Sequence, residues 1–210
     1  MARSKSSSQW LQRHVSDPFV KQAQKEGFRS RSAYKLIQLN DRDRFLHPNT
    51  LVVDLGSAPG GWSQIAGKLV GRKGKVVATD ILPMDPLPNV EFIQGDFTDE
   101  AVLDKVIDAL GGRKPDVIIC DIAPNLSGID SSDQARSMYL IELALDMVRQ
   151  TLKSGGTFVT KMFQGSGSDA YLKDVRQAFG KVFVRKPEAS RQESREVYLV
   201  AKDFTGGTGG

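Results

Sequence analysis

Val52-Val53-Asp54-Leu55-Gly56-Ser57-Ala58-Pro59-Gly60-Gly61-Trp62 reads as a buried strand that runs into a glycine-rich turn and then into a helix. Leu51, Val52 and Val53 favour extended backbone, and Asp54 closes the run. Gly56, Gly60 and Gly61 follow, where the chain must bend sharply or come close to a ligand. α/β proteins bind nucleotides at such a turn, outside the carboxyl ends of parallel strands.

Outward from this turn, apolar strand-like runs at 51–55, 75–79, 90–94, 115–120, 157–160, 182–185 and 196–201 alternate with helical stretches at 61–69, 100–110, 134–152 and 168–179. The alternation predicts a mostly parallel sheet with helices on both faces. About a dozen residues separate the starts of the last two strands, too few for a crossover helix, so these two are expected to form an antiparallel hairpin. Toward the amino end, Ser16 and Asp17 before Pro18 mark a helix start with Phe19, Val20 and Ala23 inward. A second helix over 32–40 aligns Ala33, Leu36, Ile37 and Asn40 on one side, with Lys35 beside that face.

A chain of 210 residues with 40% hydrophobic content suits one substantial core. Cys120 is the only cysteine and lies in an apolar run, so it reads as a core residue in a reducing compartment. With His14 and His47 the only histidines, no metal site is expected. No apolar run approaches the roughly 20 residues that span a bilayer, and the amino end is polar; a cytoplasmic protein without membrane contact is expected. Net charge is +4, yet residues 1–40 hold eight Lys/Arg against Asp17 and Glu26 and so carry +6. A polyanion such as RNA suits that concentration of charge, as does a solvated leader. Residues 1–9 are Ser-rich and expected to be flexible, Trp10 and Leu11 begin a stretch able to pack, and the Gly/Thr-rich end reads as a disordered tail.

Asp80 stands at the end of the second strand, where an acidic residue accepts from ribose hydroxyls in dinucleotide folds. Gly95-Asp96-Phe97 adds a second carboxylate and a ring suited to adenine, and Asp54 can accept from a ligand amine; Asp54 and Asp96 are equally able to cap a neighbouring helix. The turn lacks Gly-x-Gly-x-x-Gly spacing, and no Gly-Lys-Ser/Thr P-loop occurs. Nicotinamide dinucleotides and ATP therefore give way to an adenosine-bearing ligand with a cationic centre. S-adenosylmethionine is one, its sulfonium suited to Asp121 and its amine to Asp54. Trp62 fits either cofactor contact or the core.

Asp54-Leu-Gly-Ser-Ala-Pro-Gly-Gly-Trp62, Asp80-Ile-Leu-Pro-Met-Asp85, Gly95-Asp96-Phe97, Asp121-Ile-Ala-Pro-Asn125 and Lys161-Met-Phe-Gln-Gly165, in that order, resemble the FtsJ/RrmJ-type RNA 2'-O-ribose methyltransferases. The likeness runs from about Trp10 to Lys202. It implies a Rossmann-like methyltransferase fold, with a seven-stranded, mostly parallel sheet, helices on both faces and a carboxy-terminal antiparallel hairpin. It also implies S-adenosylmethionine as cofactor, at Gly60, Trp62, Asp80, Asp96 and Asp121. Asp54, Gly56, Ser57, Pro59, Gly61, Ile81 and Phe97 complete the candidate cofactor site. Ser57 departs from the alanine expected there and adds a hydroxyl that can meet the cofactor carboxylate or brace the loop.

The same resemblance implies a catalytic tetrad of Lys35, Asp121, Lys161 and Glu196. A ribose 2'-hydroxyl is a weak nucleophile that loses its proton as it attacks the methyl carbon. Lys161 can serve it as a neutral base or as a charged steering group, and the residues leave both open. Tyr198 shares the strand face of Glu196 and can line the site, although core packing is the first expectation. Phosphate contacts are expected from Arg29 and Arg31, and along Lys181, Arg185, Lys186, Arg191 and Arg195. The implied substrate is a uridine of 23S ribosomal RNA in the assembled large (50S) subunit, and a monomer is expected. A transfer-RNA anticodon-loop enzyme, a noncatalytic ribosome assembly factor and a small-molecule methyltransferase are the alternatives. Residues 1–30 are expected to form a basic, partly flexible, RNA-contacting segment, 31–203 one methyltransferase domain and 204–210 a disordered tail.

Overall fold

The computed structural model describes residues 17–124 and 127–206, and every structural statement concerns these. Trp10, Leu11, the Ser-rich leader, Asn125 and the Gly/Thr-rich end beyond 206 lie outside them.

Helix α1 (Pro18–Glu26) starts where Asp17 accepts from the Phe19 N–H at 3.0 Å and Pro18 opens the first turn, where it has no N–H to leave unpaired. Gly27 ends it in a left-handed conformation. Helix α2 (Ser32–Asp43) runs three residues past the expected 40, because buried Asn40 turns its Oδ1 back to accept from the Phe45 and Leu46 N–H groups. The α1 residues Phe19 and Ala23 pack on Tyr34 of α2, so this part of the amino-terminal segment is packed against the domain.

Strand β1 (Leu51–Leu55) is buried throughout and leads to helix α3 (Gly61–Val70). Then come β2 (Lys75–Asp80), β3 (Val90–Gln94), α4 (Glu100–Ala109), β4 (Val117–Cys120), α5 (Asp130–Thr151), β5 (Thr157–Phe163), α6 (Ser168–Ala178), β6 (Phe179–Arg185) and β7 (Glu196–Phe204). The strands form one seven-stranded sheet in the order β3-β2-β1-β4-β5-β7-β6. β1 to β5 pair in parallel, whereas β7 runs antiparallel to both β5 and β6. The expected hairpin forms, with β7 inserted between β5 and β6.

One core layer joins α4, α5 and α6 to the sheet through Val106, Ile141, Val148 and Val175. The opposite layer joins α2 and α3 through Leu36, Leu39, Trp62 and Ile65. Cys120 is buried in the first layer, where burial pushes its thiol up to about 11.

Several boundaries differ from the sequence reading for local reasons. β5 continues through Lys161 to Phe163 because β7 pairs with those residues, although a lysine interrupts the apolar run. β6 begins three residues before the expected 182, at the end of α6, and β7 extends to Phe204, which is buried and so belongs to the folded domain. α5 starts four residues early, in an exposed polar turn that carries no apolar periodicity.

Candidate active site

The carboxyl ends of β1, β2, β3 and β4 enclose a cavity of about 430 Å³. Gly56, Asp80, Ile81, Asp96, Phe97 and Asp121 of the predicted cofactor residues line it. Ala58, Leu82, Gly95, Ile122, Ala123 and Pro124, all within the quoted motifs though not named as cofactor residues, line it as well; Leu140, an apolar helix residue outside every motif, does so with no signature to single it out. The size suits a nucleoside-sized ligand.

Gly56 adopts a φ of +69°, and a Cβ there would lie 2.3 Å from Cγ1 of Ile122, so only glycine lets the turn pass. The Gly56 and Ser57 N–H groups donate to Thr79 O at 2.9 and 3.1 Å, which fastens the turn to β2. Asp80 completes that fastening. Its Oδ2 accepts from the Ala58 N–H and its Oδ1 from the Leu82 N–H, each at 2.8 Å. Asp96 spends Oδ1 on the N–H and hydroxyl of Thr98, at 2.9 and 2.7 Å, and so braces its own loop while lining the cavity.

Trp62 is turned away from the cavity. Its ring is buried between α2 and the sheet, 5.7 Å from the Tyr198 ring, and its indole N–H donates to Ser32 O at 2.9 Å. What Trp62 leaves to a ligand is its main-chain N–H in the first turn of α3, where helical N–H groups have no intrahelical acceptor. Gly60 and Gly61 likewise answer to the segment before α2. A Cβ on Gly60 would meet the Arg29 Nη1 at 2.8 Å, and one on Gly61 would meet the Ser30 Oγ at 2.2 Å. Pro59 presents its carbonyl to Arg29 at 3.2 Å.

Asp54 lies under the start of α3, 1% exposed. Its Oδ2 accepts from the Ser63 hydroxyl at 2.5 Å, whereas its Oδ1 has no hydrogen-bond partner among the described residues. Burial lifts its carboxyl to about 7, against the Ser63 hydrogen bond and with Asp121 and Asp80 adding repulsion. The buried Ser57 hydroxyl also has no partner among the described residues.

Past the cavity, Lys35, Asp121, Lys161 and Glu196 come together. In the β5–β7 pairing Lys161 sits opposite Tyr198 and Phe163 opposite Glu196, which brings the two predicted strand residues within two positions of each other. Lys161 Nζ donates to Asp121 O at 2.8 Å and approaches Asp121 Oδ1 at 3.1 Å. Lys35 reaches in from α2, its Nζ donating to Glu196 Oε1 at 2.6 Å. Burial acts to raise the Glu196 carboxyl, but Lys35, Lys161 and the Ser190 hydroxyl together outweigh it and hold the group below its ordinary range.

Tyr198 joins the two ion pairs. Its hydroxyl lies 2.8 Å from Asp121 Oδ1 and 3.3 Å from Glu196 Oε1. Burial, then the two carboxylates, push its ionisation well above 10, so the hydroxyl remains a donor. The expected core packing is there too, since the ring is fully buried under Lys35. Ser190, which donates to Glu196 Oε1 at 2.8 Å, went unnoticed in the sequence; it sits in a loop six residues upstream, and no motif marks it.

The basic residues expected to meet phosphate are largely turned to internal partners. Arg29 donates to three carbonyls, and Arg31 donates to Ala189 O at 2.5 Å and pairs with Asp17 at 3.1 Å. Arg185 forms a two-pronged bond to Asp43 at 2.8 and 2.7 Å, and Lys181 pairs with Asp203 at 3.0 Å. Lys186 donates to the Ser194 and Glu196 carbonyls. Only looser pairings hold Arg191 to Asp17, at 3.9 Å, and Arg195 to Asp130, at 4.0 Å.

The model of the FtsJ-like methyltransferase family matches residues 28–204. The protein named Ribosomal RNA large subunit methyltransferase E in Stutzerimonas stutzeri is 66% identical, covering 98% of this chain and 100% of its own length. The like-named proteins of Marinobacter nauticus and Pseudomonas aeruginosa are 63% and 52% identical, covering 97% and 98% of this chain and 99% and 100% of their own lengths. A crystal structure of a provisionally assigned ribosomal RNA methyltransferase from Plasmodium falciparum superposes with a TM-score of 0.77 at 34% identity, over 85% of this chain and 100% of that one. A provisionally assigned rRNA methylase from Clostridium thermocellum, at TM-score 0.55 and 16% identity over 82% of this chain and 96% of its own, shares the fold.

Proposed function

The chain belongs to the FtsJ-like methyltransferase family and is a methyltransferase, and from that premise we propose that it moves a methyl group from S-adenosylmethionine to a ribose 2'-hydroxyl of a uridine in 23S ribosomal RNA, within the large subunit. The observation that carries the reading is the joining of the Lys161–Asp121 and Lys35–Glu196 pairs by Tyr198, directly beside the cavity that Asp121 also lines. The like-named relatives, at 52 to 66% identity over nearly the whole chain, support ribosomal RNA as the acceptor.

The residues fit the donor. The Asp54 Oδ1, unpartnered among the described residues, offers an acceptor for a cationic amine, directly or through water, and the Ser57 hydroxyl, likewise unpartnered among them, can donate to a carboxylate. Asp80 and Asp96 keep acceptor capacity for ribose hydroxyls and an exocyclic amine beside the apolar wall of Ile81, Leu82 and Phe97. When bound, the donor supplies an electrophilic methyl group on a sulfonium.

The protein's own work is to place the acceptor oxygen. An ammonium has three N–H groups; Lys161 commits its Nζ to Asp121 O and Oδ1 and keeps one N–H to aim at the ribose oxygen. That bond turns the oxygen's lone pair toward the cavity; as the oxygen–carbon bond forms, the donor's methyl–sulfur bond would break with its electron pair left on sulfur, and the hydroxyl proton would leave late, to water. Glu196 fixes Lys35 beside Tyr198 at the same site.

Purified protein, labelled S-adenosylmethionine and large subunits from cells lacking the protein test the reading. Lys161→Ala is expected to keep donor binding and lose methyl transfer, since Lys161 acts on the acceptor; full turnover by that variant removes the assignment. Labelling of transfer RNA alone removes the acceptor.

A further inference from the structure

Arg29 lies in the stretch 27–32 that leads into α2, among residues expected to contact RNA phosphate. Its guanidinium points the other way. Nη1 donates to Pro59 O at 3.2 Å and to Asp85 O at 2.7 Å, and Nη2 donates to Pro86 O at 2.8 Å. Three carbonyls from two loops converge on one side chain, and the branched, planar guanidinium meets them with two separate nitrogens.

The two loops are those flanking the cofactor cavity. Pro59 belongs to the turn after β1, while Asp85 and Pro86 follow β2 and end the Asp80–Asp85 motif, whose last residues have no other assigned role. Gly60 is shaped around this contact: at φ +105° its missing Cβ would lie 2.8 Å from the Arg29 Nη1 and 2.9 Å from the Met84 Sδ. Neighbouring bonds tie the stretch to α3. The Arg29 N–H donates to Gln64 Oε1 at 3.1 Å, the Gln64 amide donates to Gly27 O at 2.9 Å, and the Trp62 indole donates to Ser32 O.

We propose that Arg29 is a positioning residue for the methyl donor: it clamps the turn after β1 to the loop after β2, and so fixes the mouth of the donor site from the segment that carries Lys35. This rests on the donor reading given above. Arg31, two residues on, has its contacts on the far side, with Asp17 and Ala189, and touches neither loop.

The test uses the full chain, with calorimetry for S-adenosylmethionine affinity and a salt titration of binding to large-subunit ribosomal RNA. Arg29→Met keeps the side chain's length and removes its donors; about a tenfold loss of donor affinity is expected, with the salt dependence of RNA binding unchanged. Arg29→Lys, able to hold one or two of the carbonyls, is expected to recover part of the loss. Arg31→Met is expected to bind the donor as the wild type does. Should Arg29→Met fail to fold in thermal unfolding, Arg29→Lys carries the test, with weakened donor binding in support and wild-type affinity against. Unchanged donor affinity in Arg29→Met overturns the proposal, and so does an equal loss in Arg29→Met and Arg31→Met, which marks a general loosening of the segment. A shallower salt dependence with unchanged donor affinity makes Arg29 a phosphate contact instead. A wild-type chain that binds no S-adenosylmethionine refutes the donor reading, before any variant is compared.

Discussion

Replacing Asp54 with asparagine changes one oxygen for an NH2 group in a fully buried site and removes its ionisable group. In an unfolded chain the carboxyl ionises near 3.8, and in the folded protein near 7. Between these values the native state holds a proton that the unfolded chain has released. Stability therefore falls as pH rises through that window and levels off above about 7. At about 1.4 kcal/mol for each tenfold step in proton activity, the loss is complete at about 4 kcal/mol near pH 8 and under 2 kcal/mol near pH 5. The amide resembles the protonated acid and keeps an oxygen for Ser63, so the variant's stability carries no such slope. Urea unfolding without cofactor is expected to show Asp54→Asn gaining on the wild type by about 2 to 3 kcal/mol between about pH 5 and about pH 8. A gain that is the same at both pH values refutes the reasoning, because it means Asp54 is ionised at no cost. With S-adenosylmethionine added the order should reverse, since the cationic amine stabilises the Asp54 carboxylate and finds nothing equivalent on the neutral amide.

Tyr198→Phe removes the hydroxyl shared by Asp121 and Glu196; we expect turnover about tenfold lower with donor affinity kept, at a stability cost of about 1 to 2 kcal/mol, and unchanged turnover limits Tyr198 to packing. Glu196→Gln leaves buried Lys35 without its counter-charge, at a cost of about 3 kcal/mol near neutral pH in urea unfolding. Because the folded-state ionisation of Glu196 lies below its ordinary 4.5, the stability it contributes is present above that value and is lost as pH falls through the lowered one. The variant should therefore show a flatter acid limb, and an unchanged limb argues against the ion pair. Gly56→Ala must move Ile122 while holding a left-handed backbone, with an expected loss of about 2 kcal/mol or more; wild-type stability there contradicts the close approach of the turn and the segment after β4.

The parallel sheet was legible because each core strand is a short apolar run closed by a polar residue or a glycine, and β1 with its turn shows the pattern most clearly. Lys161 shows where that logic stops. A lysine ends an apolar run on paper, yet β5 continues because its partner is β7, nearly forty residues later in the chain. Asp80, Asp96 and Asp121 could be placed at the cavity because a strand's carboxyl end fixes where its next residue points. Trp62 could not, since a helix residue beside a turn can face ligand or core, and only the packing of α2 decides for the core. Arg29, Arg31 and Arg185 looked like phosphate contacts from charge alone. Their carbonyl and carboxylate partners come from distant segments that composition does not connect.

The most direct test is to incubate the purified protein with methyl-labelled S-adenosylmethionine and large ribosomal subunits from cells lacking it, then digest the RNA and map the label nucleotide by nucleotide. The predicted result is label on the ribose of a 23S uridine, recovered as an alkali-resistant 2'-O-methylated dinucleotide. Label on a base, or only on RNA outside the large subunit, contradicts it.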